Sequence, residues 1–515
     1  MRNAIVLALL VLTACGNPSD PEGWAKRAAS RSRLDEKLDA IAQARKAKGD
    51  RKAAVPYLVE IVSRKSGQGA ARARAEAAIA LGEFGDASAA PALVAALDPR
   101  ATDRETVDAN RRIADALGAL RAREAVPALL ELTRSKDGYV QVAAVDALGQ
   151  IGDPAAVDRL VEIATGDGVE PFTAKKSLLA IGRIGDARAS RAVLRMLFDE
   201  RPGVSFFPEA AFAAYQIGKP MAAPLLAVLE GKDAELAGWA RQRGVVQGAL
   251  YAKSAQLLGD VAGTEAVPAL VQKLGYRDAD TALELYVRVF AAESLGRMRA
   301  RDAARPLAEL AARERDPAVR ERYCEALARI GDASVLPTLR AASASGEWSL
   351  RAPMLTALSR LGGRDERAFV EASRAKECAA GCDAARKDAF QAMLARLDAA
   401  GACDGNAGCW VNKLADPLAA VRDRAALEVG RTGGAKQSEA LGAALVRPVA
   451  ADDDLAARYH AVLGLSWLST RAPLGAAGAE IAGKIDGMIA SDRGRALTAG
   501  VNEEALRLAT RLRRQ

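Results

Sequence analysis

Histidine is nearly missing from this chain of 515 residues, and His460 is its single copy. That scarcity excludes a metal site built on several histidines, and any Ser-His-Asp or Cys-His centre would have to form around His460 alone. No glycine-rich phosphate loop and no His-Glu-x-x-His helix signature occurs. Aromatic residues make up 4% of the chain while half of it is apolar. The interior must therefore be built from Ala, Leu, Val and Ile, whose small surfaces let helices pack closely. Beyond the first residues no apolar run approaches the roughly 18 residues a membrane helix needs, and the longest candidate, Pro220 to Leu229, is around half that. Lys and Arg exceed Asp and Glu by 73 to 65, but the two signs alternate along the chain. Without a basic block, nucleic acid is not an expected partner.

The start of the chain is different in kind. Met1-Arg2-Asn3 precedes the apolar run Ala4 to Leu12, and Leu12-Thr13-Ala14-Cys15 closes it with small residues before a cysteine. A basic n-region, a short h-region and a small-residue cut describe a secretory signal peptide. With Cys15 just after the cut, the segment resembles the lipobox of bacterial lipoproteins. The resemblance implies cleavage after residue 14 and acylation of Cys15, so that residues 1–14 are signal and 15–23 a lipidated cysteine with a short tether. Several acyl chains, at roughly 0.8 kcal/mol per buried methylene, hold a protein at a membrane where one would not. Gly16, in place of Asp, resembles lipoproteins sorted to the outer membrane, so the expected location is the cell envelope, lipid-anchored, on the periplasmic or surface side. Eight residues, Gly16 to Gly23, span under about 30 Å even when stretched.

From residue 24 onward repetition decides the fold. Ala-Leu-Gly-x-x-Gly-Asp followed by a Pro-Ala-Leu segment recurs, as in Ala80 to Leu97, Ala147 to Leu160 and Ala326 to Leu339. Aligned on the residue after the Leu or its substitute, the repeat positions are Gly82, Gly118, Gly149, Gly182, Tyr215, Gly259, Gly296, Ala328, Ser359, Ala395, Gly430 and Gly464. Steps near 33 residues hold two helices and two turns. The first helix ends near the Gly-x-x-Gly, the following Asp (Asp86, Asp153, Asp186, Asp332) caps the second, and Pro91, Pro127, Pro224, Pro268, Pro306 and Pro337 lie at or just after its first turn. The predicted fold is an all-α solenoid of about twelve helical hairpins over residues 24–515, with Trp24 to Lys48 as an amphipathic lead-in helix. The units resemble HEAT repeats, in particular the short variety of phycobilisome (PBS) lyases; Asp316-Pro317-Ala318-Val319-Arg320 and Ala419-Ala420-Val421-Arg422 match the start of that family's first helix. Such arrays leave a long concave face suited to a partner.

Four of the six cysteines cluster at 378–409. Cys378 and Cys382 fall in a turn between units, and Cys403 and Cys409 in the turn within one. About 15 helical residues at 1.5 Å each separate the two turns, far beyond a disulfide's reach, so the expected bridges are Cys378 with Cys382 and Cys403 with Cys409. The same distance argues against a zinc site, and no metal or other cofactor is expected. Cys324 reads as a small apolar group on a first helix. Asp452-Asp453-Asp454 reads as a helix cap before Leu455 and not as a calcium site. Eleven of the 22 aromatic residues lie between Phe172 and Phe290, where the longest step, 44 residues from Tyr215 to Gly259, also falls. Phe206 and Phe207, between Pro202 and Pro208 in what reads as an irregular loop, with Phe212, Trp239 and Tyr251, form the candidate partner-binding region, against the alternative that these rings fill gaps in the core. If they form a contact surface, Phe206 and Phe207 must be exposed. The functional expectation is a membrane-anchored, non-catalytic scaffold that binds an envelope protein. Its competitors are a lyase-like or other group-transfer enzyme using Cys324 or the aromatic region, and a purely architectural spacer.

Overall fold

The computed structural model describes residues 19–64, 66–67, 69–261, 263–450 and 452–513. Cys15 and the segment before it lie outside the described residues. The architecture is an all-α solenoid, and the one sheet among the described residues is a two-residue pair, Glu200–Arg201 against Val204–Ser205. First helices run from Ala70–Phe84 to Asp452–Arg471, most of them followed by a shorter second helix such as Ala90–Ala96 or Val157–Thr165. The chain divides into two compact units, residues 1–213 and 214–515, with the division inside helix Phe207–Ile217.

The Gly-Asp pair punctuates each hairpin. Gly85, Gly152, Gly185 and Gly331 close their first helices at φ between 71° and 77°, the left-handed conformation that side chains resist. The next residue then accepts a backbone N–H: Asp153 Oδ1 takes that of Ala155 at 2.9 Å, and Asp186 Oδ1 that of Arg188 at 2.8 Å. These aspartates cap a three-residue 3-10 turn that leads into the second helix, and do not cap that helix directly. Pro91, Pro127, Pro268 and Pro337 sit within its first two positions, where a missing donor costs nothing.

The repeat position itself is a stacking point. A Cβ on Gly118 would stand 2.9 Å from the Cα of Ala147, and one on Gly149 2.8 Å from that of Ala180. Glycine thus brings neighbouring first helices close together.

Two readings of the sequence require correction. The lead-in is a hairpin, Pro21–Ser30 and Leu34–Lys46. Arg31 and Arg33 are extended, because the stripes Ala25, Ala28, Ala29 and Ala40, Ile41, Ala44 both become buried only if the chain folds back. The 44-residue step is not a loop but an added helix, Ala234–Gln242. Among the described residues, no helix is long and apolar enough to cross a membrane.

Candidate functional site

In the unit formed by residues 214–515, the residue directly after the repeat position carries charge in six consecutive repeats: Asp260, Arg297, Arg329, Arg360, Arg396 and Arg431. One step past the stacking glycine or its substitute, several of these side chains reach helices of other repeats, from the next one to three away. Arg360 Nε donates to Asp423 Oδ2 at 2.8 Å, Arg396 Nη2 lies 3.2 Å from the same oxygen, and His460 Nδ1 bonds Asp423 Oδ1. Arg431 donates to the carbonyl of Ala328, and Trp467 Nε1 to that of Arg297 at 2.8 Å. The last helix, Ala499–Leu512, returns to the unit's beginning. There Arg297 bridges Asp260 and Glu504, at 2.9 Å from the latter, Gln216 Nε2 donates to the Arg507 carbonyl at 3.0 Å, and the Arg511 guanidinium lies 3.9 Å from the Tyr215 ring centre. The concave side of this unit is therefore filled by its own side chains, contrary to the open face that a regular solenoid suggests.

A cavity of about 170 Å³ remains where the arc closes, lined by Tyr215, Asp260, Arg297, Trp467, Glu504 and Arg511 among others. Its two carboxyl groups are driven apart. Burial, with Glu504 adding to it, pushes Asp260 above the usual carboxylate range, while Glu504, despite burial, is held below it by Arg297 and Arg507. Burial also raises the Tyr215 phenol. Two acids of unequal strength sharing one guanidinium can move a proton, and can equally act as a clasp between helices.

His460 is 3% exposed. Burial, with Arg360 and Arg329 adding to it, holds the imidazole below its ordinary value although Asp423 opposes them. The pair is buried and joins the helices Ala419–Thr432 and Asp452–Arg471. Cys324 is buried with its sulfur 3.2 Å from Met354 Sδ, and burial keeps it a thiol by raising its pKa. Cys378 is bonded to Cys382 and Cys403 to Cys409, with Cα separations of 4.6 and 5.3 Å. The helix begins at Asp452, earlier than the expected Leu455, so Asp454 lies within its first turn, where it pairs with Arg422 and accepts the N–H of Ala450. The described residues contain no group of three or more His, Cys, Asp or Glu placed to hold a metal.

The expected aromatic surface does not form. Phe206 is fully buried. The segment before it pairs as a hairpin, Arg201 with Val204, and this sets the Arg201 guanidinium 4.9 Å from the Phe206 ring centre as a lid. Phe207 is half-buried, and Phe212 packs onto Gly182, where a Cβ would meet its ring at 2.8 Å. Trp239 and Tyr251, also half-buried, belong to the other unit, beneath Arg243 and Lys273. The exposed rings are Tyr139 at 75%, Phe172 at 56% and Tyr286 at 53%. Each stands ten residues before its repeat position, Gly149, Gly182 or Gly296. Both this column and the arginine column are visible in the repeat alignment, and sequence reasoning missed them by reading only the glycine, aspartate and proline columns.

Comparison with known proteins places the repeats. The family description HEAT repeats matches residues 99–174 and 279–359, and that of the PBS lyase HEAT-like repeat matches residues 73–99. No curated protein matches the sequence. Among solved structures, importin beta aligns with a TM-score of 0.50 at 13% identity, over 94% of this chain and 74% of that one. Yeast importin-beta aligns at 0.41 and 12% identity, over 95% and 78%. The CpcE–CpcF complex of phycocyanin lyase from Nostoc aligns at 0.25 and 24% identity, over 54% and 94%. The first of these likenesses supports the solenoid fold and no activity.

Proposed function

We propose that this chain is a membrane-anchored HEAT-repeat scaffold that binds another protein of the cell envelope and catalyses nothing. The observation that carries the reading is the exposure of Tyr139 and Phe172 in the same column of consecutive repeats of the first unit. Large rings left in water at matching positions of stacked helices are typical anchors for a partner. The inner side of the second unit is occupied by its own arginines, which favours the first unit as the contact surface. The anchor rests on Leu12 to Cys15 alone.

Crosslinking in intact cells tests both parts. A Tyr139→Ala, Phe172→Ala variant is expected to keep its helix content and melting temperature and to lose captured partners, since interface anchors typically lose about 2 kcal/mol or more on truncation. An unchanged set of partners would move the contact surface elsewhere. Cys15→Ser is expected to abolish acyl labelling and membrane fractionation, and a membrane-bound Cys15→Ser protein would remove the lipid anchor from the proposal.

A catalytic reading has one specific observation in its favour, the Asp260–Arg297–Glu504 cavity with its two unequal acids. The buried thiol of Cys324 counts against the nucleophilic version of that reading. Glu504→Gln separates the alternatives. If the acids only clasp helices, the variant alters melting and leaves partner capture intact.

A further inference from the structure

The cavity where the arc of residues 214–515 closes holds polar atoms that the clasp leaves unused. Asp260 is 7% exposed, and its Oδ1 is bonded to Arg297. Its Oδ2 accepts no hydrogen bond among the described residues, with Arg507 standing off at 3.7 Å. Glu504 is engaged in the same one-sided way: Oε1 accepts from Arg297 at 2.9 Å, and Oε2 accepts no hydrogen bond among the described residues. Arg511 spends Nη2 on the carbonyls of Tyr215 and Asp260, while its Nε and Nη1 donate to nothing among the described residues. None of these four atoms is sealed from solvent, and all three residues line the cavity.

Size and lining narrow what fits. The space is about 170 Å³, and a cavity of about 150 Å³ takes one benzene-sized molecule. Val462, Leu463, Met298 and Trp467 make one side apolar, and the exposed Thr264 and Thr470 mark the mouth. The charges that line it balance, Arg297 and Arg511 against Asp260 and Glu504. A ligand carrying one sign alone would leave its own charge uncompensated against such a lining, which is costly away from bulk water. A molecule with both signs on neighbouring atoms meets an open acceptor and an open donor together. The acceptors are also short of positive charge. Burial, with Glu504 adding to it, holds Asp260 above the usual carboxylate range although Arg297, Arg507 and Arg511 oppose it.

We propose that this cavity binds a small zwitterion of the α-amino-acid type, its ammonium donating to Asp260 Oδ2 and Glu504 Oε2, its carboxylate accepting from Arg511, and an aliphatic side chain lying against Val462, Leu463 and Trp467. Charge-assisted bonds of both signs then replace the water that otherwise meets these atoms, and a few polar groups in an apolar wall fix the orientation. The ligand also bridges elements far apart in sequence. Asp260 ends helix Gln247–Asp260, whereas Glu504 and Arg511 belong to helix Ala499–Leu512, so binding holds the arc closed. The site concerns binding alone and does not rest on the scaffold reading.

The test is calorimetry on the full chain carrying Cys15→Ser, with three probes of one size. Leucine carries both charges, isopentylamine keeps only the ammonium, and isocaproate keeps only the carboxylate. Leucine is expected to bind, to raise the melting temperature, and to exceed either analogue by about tenfold or more in affinity. Arg511→Gln and Glu504→Gln are each expected to weaken leucine by about tenfold or more. Both residues also serve the clasp, so a third variant separates ligand from fold. Thr470→Trp, at the exposed mouth, is expected to keep helix content and melting temperature while excluding leucine. No leucine binding by the unsubstituted arc overturns the site. Equal affinity for the amine or the acid overturns the zwitterion assignment, and undiminished leucine binding in Thr470→Trp and Arg511→Gln places the ligand elsewhere and overturns the site as well.

Discussion

Asp423 is the most consequential single carboxylate in the second unit. It is fully buried and receives Arg360, Arg396 and His460. Replacing it with Asn keeps the shape and removes the counter-charge that these two guanidiniums share. Removal of one partner from a buried ion pair costs about 3–5 kcal/mol, because the remaining charge stays desolvated. The unit runs from residue 214 to 515, and at about 2.1 cal/mol/K per residue its unfolding entropy is about 0.6 kcal/mol/K, so the melting temperature should fall by about 5–8 °C. Calorimetry reads that shift directly, and a drop below about 2 °C would refute the claim that the cluster holds the arc closed. The pH dependence gives an independent check. Burial opposes ionisation of Asp423, but Arg360, His460 and Arg396 hold it well below the usual carboxylate range. Its stabilisation is therefore complete above about pH 5 and is lost only as the pH falls through its depressed folded value. His460 behaves oppositely. Its folded pKa lies below the ordinary 6.5, so below that pH the unfolded chain takes up a proton that the folded chain refuses. Stability must decline as the pH falls through about 6.5, by up to about 1.4 kcal/mol per unit. His460 being the only histidine, His460→Asn, which can still donate to Asp423, should flatten the melting profile between about pH 5.5 and 7. A profile that stays as steep as wild type would assign the titration to another group.

Other substitutions probe the packing. Gly149→Ala should destabilise the first unit by about 1–3 kcal/mol, since its Cβ would meet Ala180 Cα at 2.8 Å, despite the better helix propensity of alanine. Gly487→Ala, in a helix with nothing within 4 Å of the new methyl, should stabilise by about 0.5–1 kcal/mol, and chemical denaturation that gives both changes the same sign would contradict the stacking argument. Arg511→Ala removes the cation over Tyr215 and donors to the carbonyls of Tyr215 and Asp260, and should cost about 2 kcal/mol while speeding protease cleavage before the last helix. Unaltered cleavage would mean that the C-terminal helix does not close the arc.

The hairpins were legible because their determinants are local. Gly152 needs its left-handed φ and Asp153 caps two residues onward, so both recur at fixed distances and can be counted in the sequence. The two cysteine pairs were legible for the same reason, since each closes a loop of four or six residues. Phe206 was misplaced because a proline-bounded stretch reads as a loop, whereas a two-residue strand pair is enough to bring Arg201 over the ring. Asp423 carried no local signal, as a charged residue on an amphipathic helix ordinarily faces water. What buries it is contact with other hairpins, since its partners Arg360 and His460 are 63 and 37 residues away.

The arginines of the second unit outnumber the acids they meet, and the reason lies in the helix ends. An α-helix leaves its last four carbonyls without an internal partner. Here side-chain donors from other repeats fill them: Arg431 reaches the Ala328 carbonyl, Arg424 those of Ser359 and Gly362 at 2.7 Å each, Arg471 that of Gly430, Trp467 that of Arg297, and Arg511 that of Tyr215. A guanidinium suits this task because it stays charged and offers several donors in a fixed plane, so it can serve a carbonyl and a carboxylate together. Even so, burial brings Arg424 down to about 10, and burial with Arg431 and Arg471 beside it does the same to Arg299. The closing of the arc is thus stitched by hydrogen bonds to helix termini, with Asp260, Asp423 and Glu504 as the minimum counter-charge. An interior so committed has little left to offer a protein partner. Under the scaffold proposal, recognition is therefore expected on the exposed column that bears Tyr139 and Phe172, and mutations of the arginine column are expected to act on stability before they act on binding.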